Sequence, residues 1–286
     1  MEVAKIEGTP EYKRFMRETQ ERDQTTDTPL CSLLGLCPQS PDVAAAAGML
    51  RSLKTAVEYY LGTTFCYADV VITDPSIVYQ SSVIAGAINA VGLRRVGRAP
   101  ELGSAAAVAV VANRLSPLPE VPETDREHLV LVVEYSRASL NTVLFSDNEY
   151  GILLSIRQGY YPHLGAESKY PDDKRWEKIK VELEEIVRPP FGRSVLGPVE
   201  LPDHIENLVL HGELARDRDL RDTLTTVLGS RLVDDAQVFD PVFASSVGTS
   251  QIAVAKMDTP EFYFHQKAAF LCKWRSGLYS SRTDEL

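Results

Sequence analysis

The chain has 286 residues, 44% hydrophobic and 24% charged, a globular balance with enough length to bury a core without disulfide or metal staples. At about 150 residues per domain this predicts one large or two small domains. Thirty lysines and arginines against forty acidic residues leave a net charge of −10, the wrong sign for a general binder of nucleic-acid phosphate. The longest apolar runs, 105–112 and 129–133, fall far short of the roughly 20 residues a membrane helix needs, so no membrane partner is expected. Residues 1–28 are mostly charged or polar and read as no secretory signal, which makes cytoplasmic localisation the expectation. Cys31, Cys37, Cys66 and Cys272 are irregularly spaced, contain no C-x-x-C, and read as reduced structural thiols.

In chain order, residues 1–41 read as a polar N-terminal arm and a proline-punctuated loop. Asp42 is placed to cap a helix over 43–61, whose apolar face is Val43, Ala46, Leu50, Leu53, Val57 and Leu61. A short buried strand is predicted over 68–73, a helix over 80–91, a strand over 94–98 and an alanine-rich helix over 103–115. A proline- and acid-rich linker at 116–127 closes this half. Three strands at 128–135, 139–146 and 151–158, joined by short polar turns, have the pattern of a β-meander. A charged amphipathic helix over 172–187, a strand over 207–210, a helix over 217–228 and a final helical segment over 240–256 complete a mixed α/β order. Asp172-Asp173 and Asp234-Asp235 lack further convergent ligands and read as a helix N-terminus and a turn, so no metal site is expected. The tail 258–286 carries Phe262, Phe264, Phe270 and Trp274, enough aromatic surface to seal a neighbouring face or to form a homo-oligomer.

Several segments then fall into a recognisable order. Ala68-Asp69-Val70-Val71-Ile72-Thr73-Asp74-Pro75 follows the Leu53–Gly62 helix end, and Val91-Gly92-Leu93 leads to Arg98-Ala99-Pro100. Val132-Val133-Glu134-Tyr135-Ser136-Arg137-Ala138-Ser139-Leu140-Asn141 aligns with a phosphate-binding strand and turn, F-D-L-G-G-G-T-F-D. His163-Leu164-Gly165-Ala166-Glu167 is similar to H-L-G-G-E, and the segment Ile205 to Arg216 to an adenosine loop, I-x-x-V-V-L-V-G-G-S-T-R. Asp240-Pro241-Val242-Phe243-Ala244 through Gly248 fits a closing D-P-x-x-A-x-x-x-G helix. Together these resemble the ATPase domain of the 70-kilodalton heat-shock chaperones, in the divergent form found in filamentous fungi. The resemblance implies a truncated actin-like ATPase (ribonuclease H-like) fold of mixed sheets flanked by helices. It divides the chain into a first subdomain remnant at 42–127 and a second subdomain at 128–257 with a shortened helical lobe.

The family's chemistry is missing at the matching positions. Phosphates are cradled there by glycine-rich hairpins, because only glycine lets backbone N–H groups approach the oxygens closely. The first hairpin, opening Asp-x-Gly-Thr, has no counterpart ahead of Leu53. Ala99 replaces the catalytic acid of N-E-P, and Ser136, Arg137 and Ala138 replace the glycines of the second hairpin. Glu134 and Asn141 replace its two aspartates, and Glu213 and Leu214 replace a glycine and a small hydroxyl of the adenosine loop. ATP hydrolysis is therefore not expected, and neither ATP nor Mg²⁺ is expected as a cofactor.

The resemblance places a remnant cleft among Arg98, Glu134, Tyr135, Arg137, Asn141, His163, His211 and Glu213. Two functions suit it. One is a pseudoenzyme that binds or scaffolds a small molecule or a protein partner. The other is a repurposed, cofactor-free catalyst of an isomerisation or cyclisation, in the setting of fungal secondary metabolism. For the latter, Glu134, Arg137, His211 and Glu213 are the acid–base and charge-stabilising candidates, with Arg98, Tyr135, Asn141 and His163 as ligand-binding candidates.

Overall fold

The computed structural model describes residues 40–62, 64–73, 78–96, 103–113, 127–147, 153–193, 200–257, 259 and 262. The N-terminal arm, most of the 116–127 linker, Arg98 and nearly all of the aromatic tail lie outside them. The larger sheet has the order β5-β4-β3-β6, built from β3 (His128–Tyr135), β4 (Leu140–Asp147), β5 (Leu153–Tyr161) and β6 (Asn207–His211). β3, β4 and β5 form the expected antiparallel meander, and β6 pairs in parallel with the free side of β3. Parallel pairing requires a crossover. Helix α4 (Asp172–Ile186) supplies it between β5 and β6, with Asp172 and Asp173 in its first turn where acids suit the helix dipole.

Alternation along β3 separates two cores. Leu129, Leu131, Val133 and Tyr135 face one way, onto Ile179, Leu183 and Ile186 of α4 and onto Leu220 and Leu224 of α5 (Arg218–Leu228). Val130 and Val132 face the other way, with Val143, Phe145 and Val209, onto α3 (Ala105–Ala112) and Ala244 of α7 (Ala244–Met257). The result is a helix–sheet–helix sandwich with a mixed sheet at its centre. The short helix α6 (Ser230–Asp234), between α5 and α7, is not foreshadowed by the sequence pattern.

In the first half, pairing among the described residues is sparse. Strand β1 (Val71–Ile72) pairs in parallel with β2 (Gly103–Ser104), and among the described residues an isolated bridge, Tyr67 to Arg94, is the other pairing near the two predicted strands. Helix α1 (Pro41–Leu61) is capped by Ser40, whose Oγ accepts from the Val43 N–H at 3.3 Å, so Asp42 sits inside the first turn rather than at the cap. Its Ala46, Ala47 and Leu50 pack on Ala87 and Ile88 of α2 (Val78–Ala90), while Leu53, Val57 and Leu61 of the predicted apolar face are exposed. Cys66 is disulfide-bonded, which corrects the expectation of reduced thiols at that position; its partner lies outside the described residues. No helix among the described residues is long and apolar enough to cross a membrane.

The two halves join where α3 crosses α7. The alanine-rich surface of α3 lets the backbones close in, and a Cβ at Gly248 would run into the Val108 carbonyl. Gly248→Ala is therefore expected to cost about 1–3 kcal/mol, since backbone rather than a flexible side chain must yield. Gly48, inside α1, is the control, because a Cβ there would meet nothing within 4 Å; Gly48→Ala should stabilise by about 0.5–1 kcal/mol. Urea unfolding of the two variants tests both signs.

Candidate functional site

The register of the large sheet stacks two rows. Val132 lies beside Val143 on β4 and Val209 on β6, an apolar row inside the core. Two positions further toward one end of the sheet, Glu134 lies beside Asn141 and His211, and Asn141 lies beside Tyr160 on β5. Directly paired residues share a face, so Tyr160, Asn141, Glu134 and His211 form one polar row across all four strands. The row sits at the end of the sheet, where the cover of α3 and α7 gives way to a cavity of about 530 Å³. Thr73 from the end of β1, Ala105 at the start of α3, and Pro241, Val242 and Ser245 around the start of α7 form its other walls.

Glu134 is held by neutral groups. The Thr73 hydroxyl donates to its Oε1 at 3.4 Å and the Asn141 amide donates to its Oε2 at 3.4 Å. Asn141, 3% exposed, also donates to the Thr73 carbonyl at 3.4 Å and so ties the first half of the chain to the sheet. Burial pushes the Glu134 carboxyl above its ordinary value, only partly offset by those two hydrogen bonds. His211 is 2% exposed, its Nε2 has no hydrogen-bond partner, and burial lowers it to about 4. The imidazole is thus neutral at physiological pH, beside a carboxyl biased toward its own neutral form. No cluster of metal-ligating side chains occurs among the described residues.

The remaining candidates lie elsewhere. Tyr135 follows Glu134 on β3 and so points to the opposite face, where it is fully buried with its ring 5.7 Å from Trp176. Arg137 and Glu213 lie beyond the strand ends and bind each other: the Arg137 N–H donates to Glu213 Oε1 at 2.8 Å, and its Nε lies 3.6 Å from the same oxygen. Both are substantially exposed, and neither lines the cavity. His163 is exposed, edge-on to Tyr170 at 5.9 Å. Arg98 lies outside the described residues. The structure therefore unites Glu134, Asn141 and His211 and separates Tyr135, Arg137, Glu213 and His163 from them. Thr73, Tyr160 and Ser245 were not anticipated. Tyr160 becomes predictable only once the β4–β5 register is known, and Thr73 and Ser245 reach the site through contacts distant in sequence.

Two glycines bring the surrounding loops together. A Cβ at Gly165 would collide with the backbone of the 137–139 turn, and one at Gly212, which has φ +98°, would lie 2.5 Å from the Tyr135 carbonyl oxygen. That turn is closed by serines: the Ser136 N–H donates to the Ser139 carbonyl at 3.0 Å, and the Ser139 N–H donates to Ser136 Oγ at 3.0 Å. No family model and no curated protein matches this chain.

Burial of His211 sets a pH dependence. The unfolded imidazole takes up a proton near pH 6.5 and the folded one only near pH 4, so its contribution is complete above 6.5 and lost as pH falls toward 4. Stability measured by urea unfolding should therefore fall more steeply with acid in the wild type than in His211→Gln across that window. Parallel profiles would show that His211 does not resist protonation.

Proposed function

We propose that the protein is a non-hydrolysing derivative of the actin-like ATPase fold that binds a small organic ligand at the end of its large sheet. Three features support that ancestry. The meander with β6 parallel to β3 makes a mixed sheet flanked by helices, as the resemblance implies, and Val209 bridges in parallel to Gln237 beyond it. Gly165, Gly212 and Gly248, the glycines carried by three of the resembling motifs, are each at a site that a Cβ would obstruct. The remnant of the first subdomain packs through α3 against α7, the helix of the closing motif.

The observation that carries the loss of nucleotide chemistry is the 2.8 Å bond from the Arg137 N–H to Glu213. The turn that would offer its amide to a phosphate offers it to the protein's own carboxylate. Its Ser136 and Arg137 carbonyls are also engaged, by the N–H groups of Ala166 and Glu167. A polyphosphate would have to displace Glu213 and then approach Glu134 in a partly buried setting where like charges repel strongly. Calorimetric titration with ATP·Mg²⁺ at millimolar concentration should give no binding heat and no rise in melting temperature. A saturable signal would overturn this reading.

A catalytic form of the same reading rests on the Glu134–His211 row. A carboxyl biased toward its protonated form and a neutral imidazole beside it can serve as acid and base without a cofactor. Such proton transfer leaves the mass of a substrate unchanged, as an isomerisation or cyclisation requires. In the native organism, a Glu134→Gln strain should then accumulate a compound isomeric with the wild-type product, with turnover reduced on the order of 10²-fold or more. Unchanged metabolite profiles would leave binding alone as the function.

A further inference from the structure

Resting on the reading of the cavity as a small-molecule site, we infer that its ligand carries a cationic nitrogen, an ammonium or amidinium, which pairs with Glu134. Among the described residues that line the cavity, Glu134 is the only one with a formal charge; the rest are apolar, hydroxyl-bearing or, in His211, a neutral imidazole. Its two carboxylate oxygens receive one long hydrogen bond each, both from neutral donors, and among the described residues no lysine or arginine pairs with them. A partly buried carboxylate in that state is costly, and the group that relieves it is a cation with N–H donors. His211 lies beside it in the same row, a neutral ring that adds no competing charge. Val71, Ile72 and Val242 give the cavity apolar walls for the body of such a ligand.

The starts of α3 and α7 both lie at the cavity edge and oppose a cation, that of α3 the less because Ser104 Oγ already accepts from the Ala107 N–H. A helix terminus carries about half an elementary charge, spread over several N–H groups, against the full charge of an ionised carboxylate. Binding also acts on Glu134 itself. A neighbouring positive charge favours the ionised form of the carboxyl, opposing the upward push that burial gives it. Affinity should consequently weaken as pH falls through the titration of that carboxyl. An anionic ligand would meet the opposite trend.

The test compares three probes that share one phenylethyl body, 2-phenylethylammonium, 2-phenylethanol and 3-phenylpropionate, titrated by ligand-detected NMR into the full chain. At neutral pH the ammonium should bind at least about tenfold more tightly than the alcohol or the carboxylate. Glu134→Gln should abolish that preference while leaving the alcohol unaffected, and Glu134→Asp, which keeps the charge, should retain part of it. In the wild type, acidification should weaken the ammonium and not the alcohol, a readout that does not depend on any variant folding. Equal or tighter binding of the alcohol or carboxylate, or a preference that survives Glu134→Gln, overturns the assignment of a cation while leaving the cavity as a ligand site. Absence of binding by all three overturns the cavity reading as well.

Discussion

Strand β3 is bounded on every side, and the rest of the structure follows from that. It pairs antiparallel with β4 and parallel with β6, and both of its faces are covered by helices, so its run Leu129 to Val133 has no exposed position. A strand buried in this way needs apolar residues on both faces and cannot slip in register without moving a whole set of side chains to the other core. The valine row Val132, Val143 and Val209 fixes that register from one face, and Leu131 with Leu144 and Leu208 fixes it from the other. Once those rows are locked, Glu134, Asn141 and His211 have no freedom to be anywhere but side by side.

The polar row is thus a consequence of core packing, which gives it the rigidity a site needs. Side chains on three hydrogen-bonded strands are held more tightly than side chains on loops. The loops at the same end are treated differently. Arg137 and Glu213, both on turns, are spent on joining the β3–β4 turn to the segment after β6, and Gly212 brings those backbones into contact. An exposed ion pair of this kind contributes little to stability. Its effect is to occupy the turn amide with a fixed negative charge, and this distinguishes the site from a phosphate cradle more sharply than the loss of glycines alone.

Much of this order was legible in the sequence, and the parts that were not share a cause. The meander, α4, β6 and α5 carry strong periodic patterns and end within a few residues of the predicted limits. Strand β1 is shorter than the six residues predicted for it, since its uninterrupted apolar run is Val70 to Ile72 and its partner β2 pairs with it at two positions among the described residues. Alternation along β3 should have removed Tyr135 from the site, since adjacent strand residues cannot face the same cavity. Asn141 and His211 were recoverable from aligned motifs, whereas Tyr160 and Thr73 depend on register and on the docking of the first half. The disulfide at Cys66 had no local signal either, since no other cysteine stands near it in the sequence.

Burial displaces Glu134 upward and His211 downward, and both displacements weaken the folded state. The carboxyl costs stability above pH 4.5, where the unfolded chain would ionise it, and the imidazole costs stability below 6.5, where the unfolded chain would protonate it. Between those two values both penalties act, below 4.5 the imidazole's remains and above 6.5 the carboxyl's remains, so the polar row carries a cost on either side of neutrality. An apolar pair at the same positions would continue the valine rows beneath and carry neither cost. A row that opposes the packing logic of its own sheet, yet opens onto a cavity, is better explained by what enters that cavity than by the fold it destabilises.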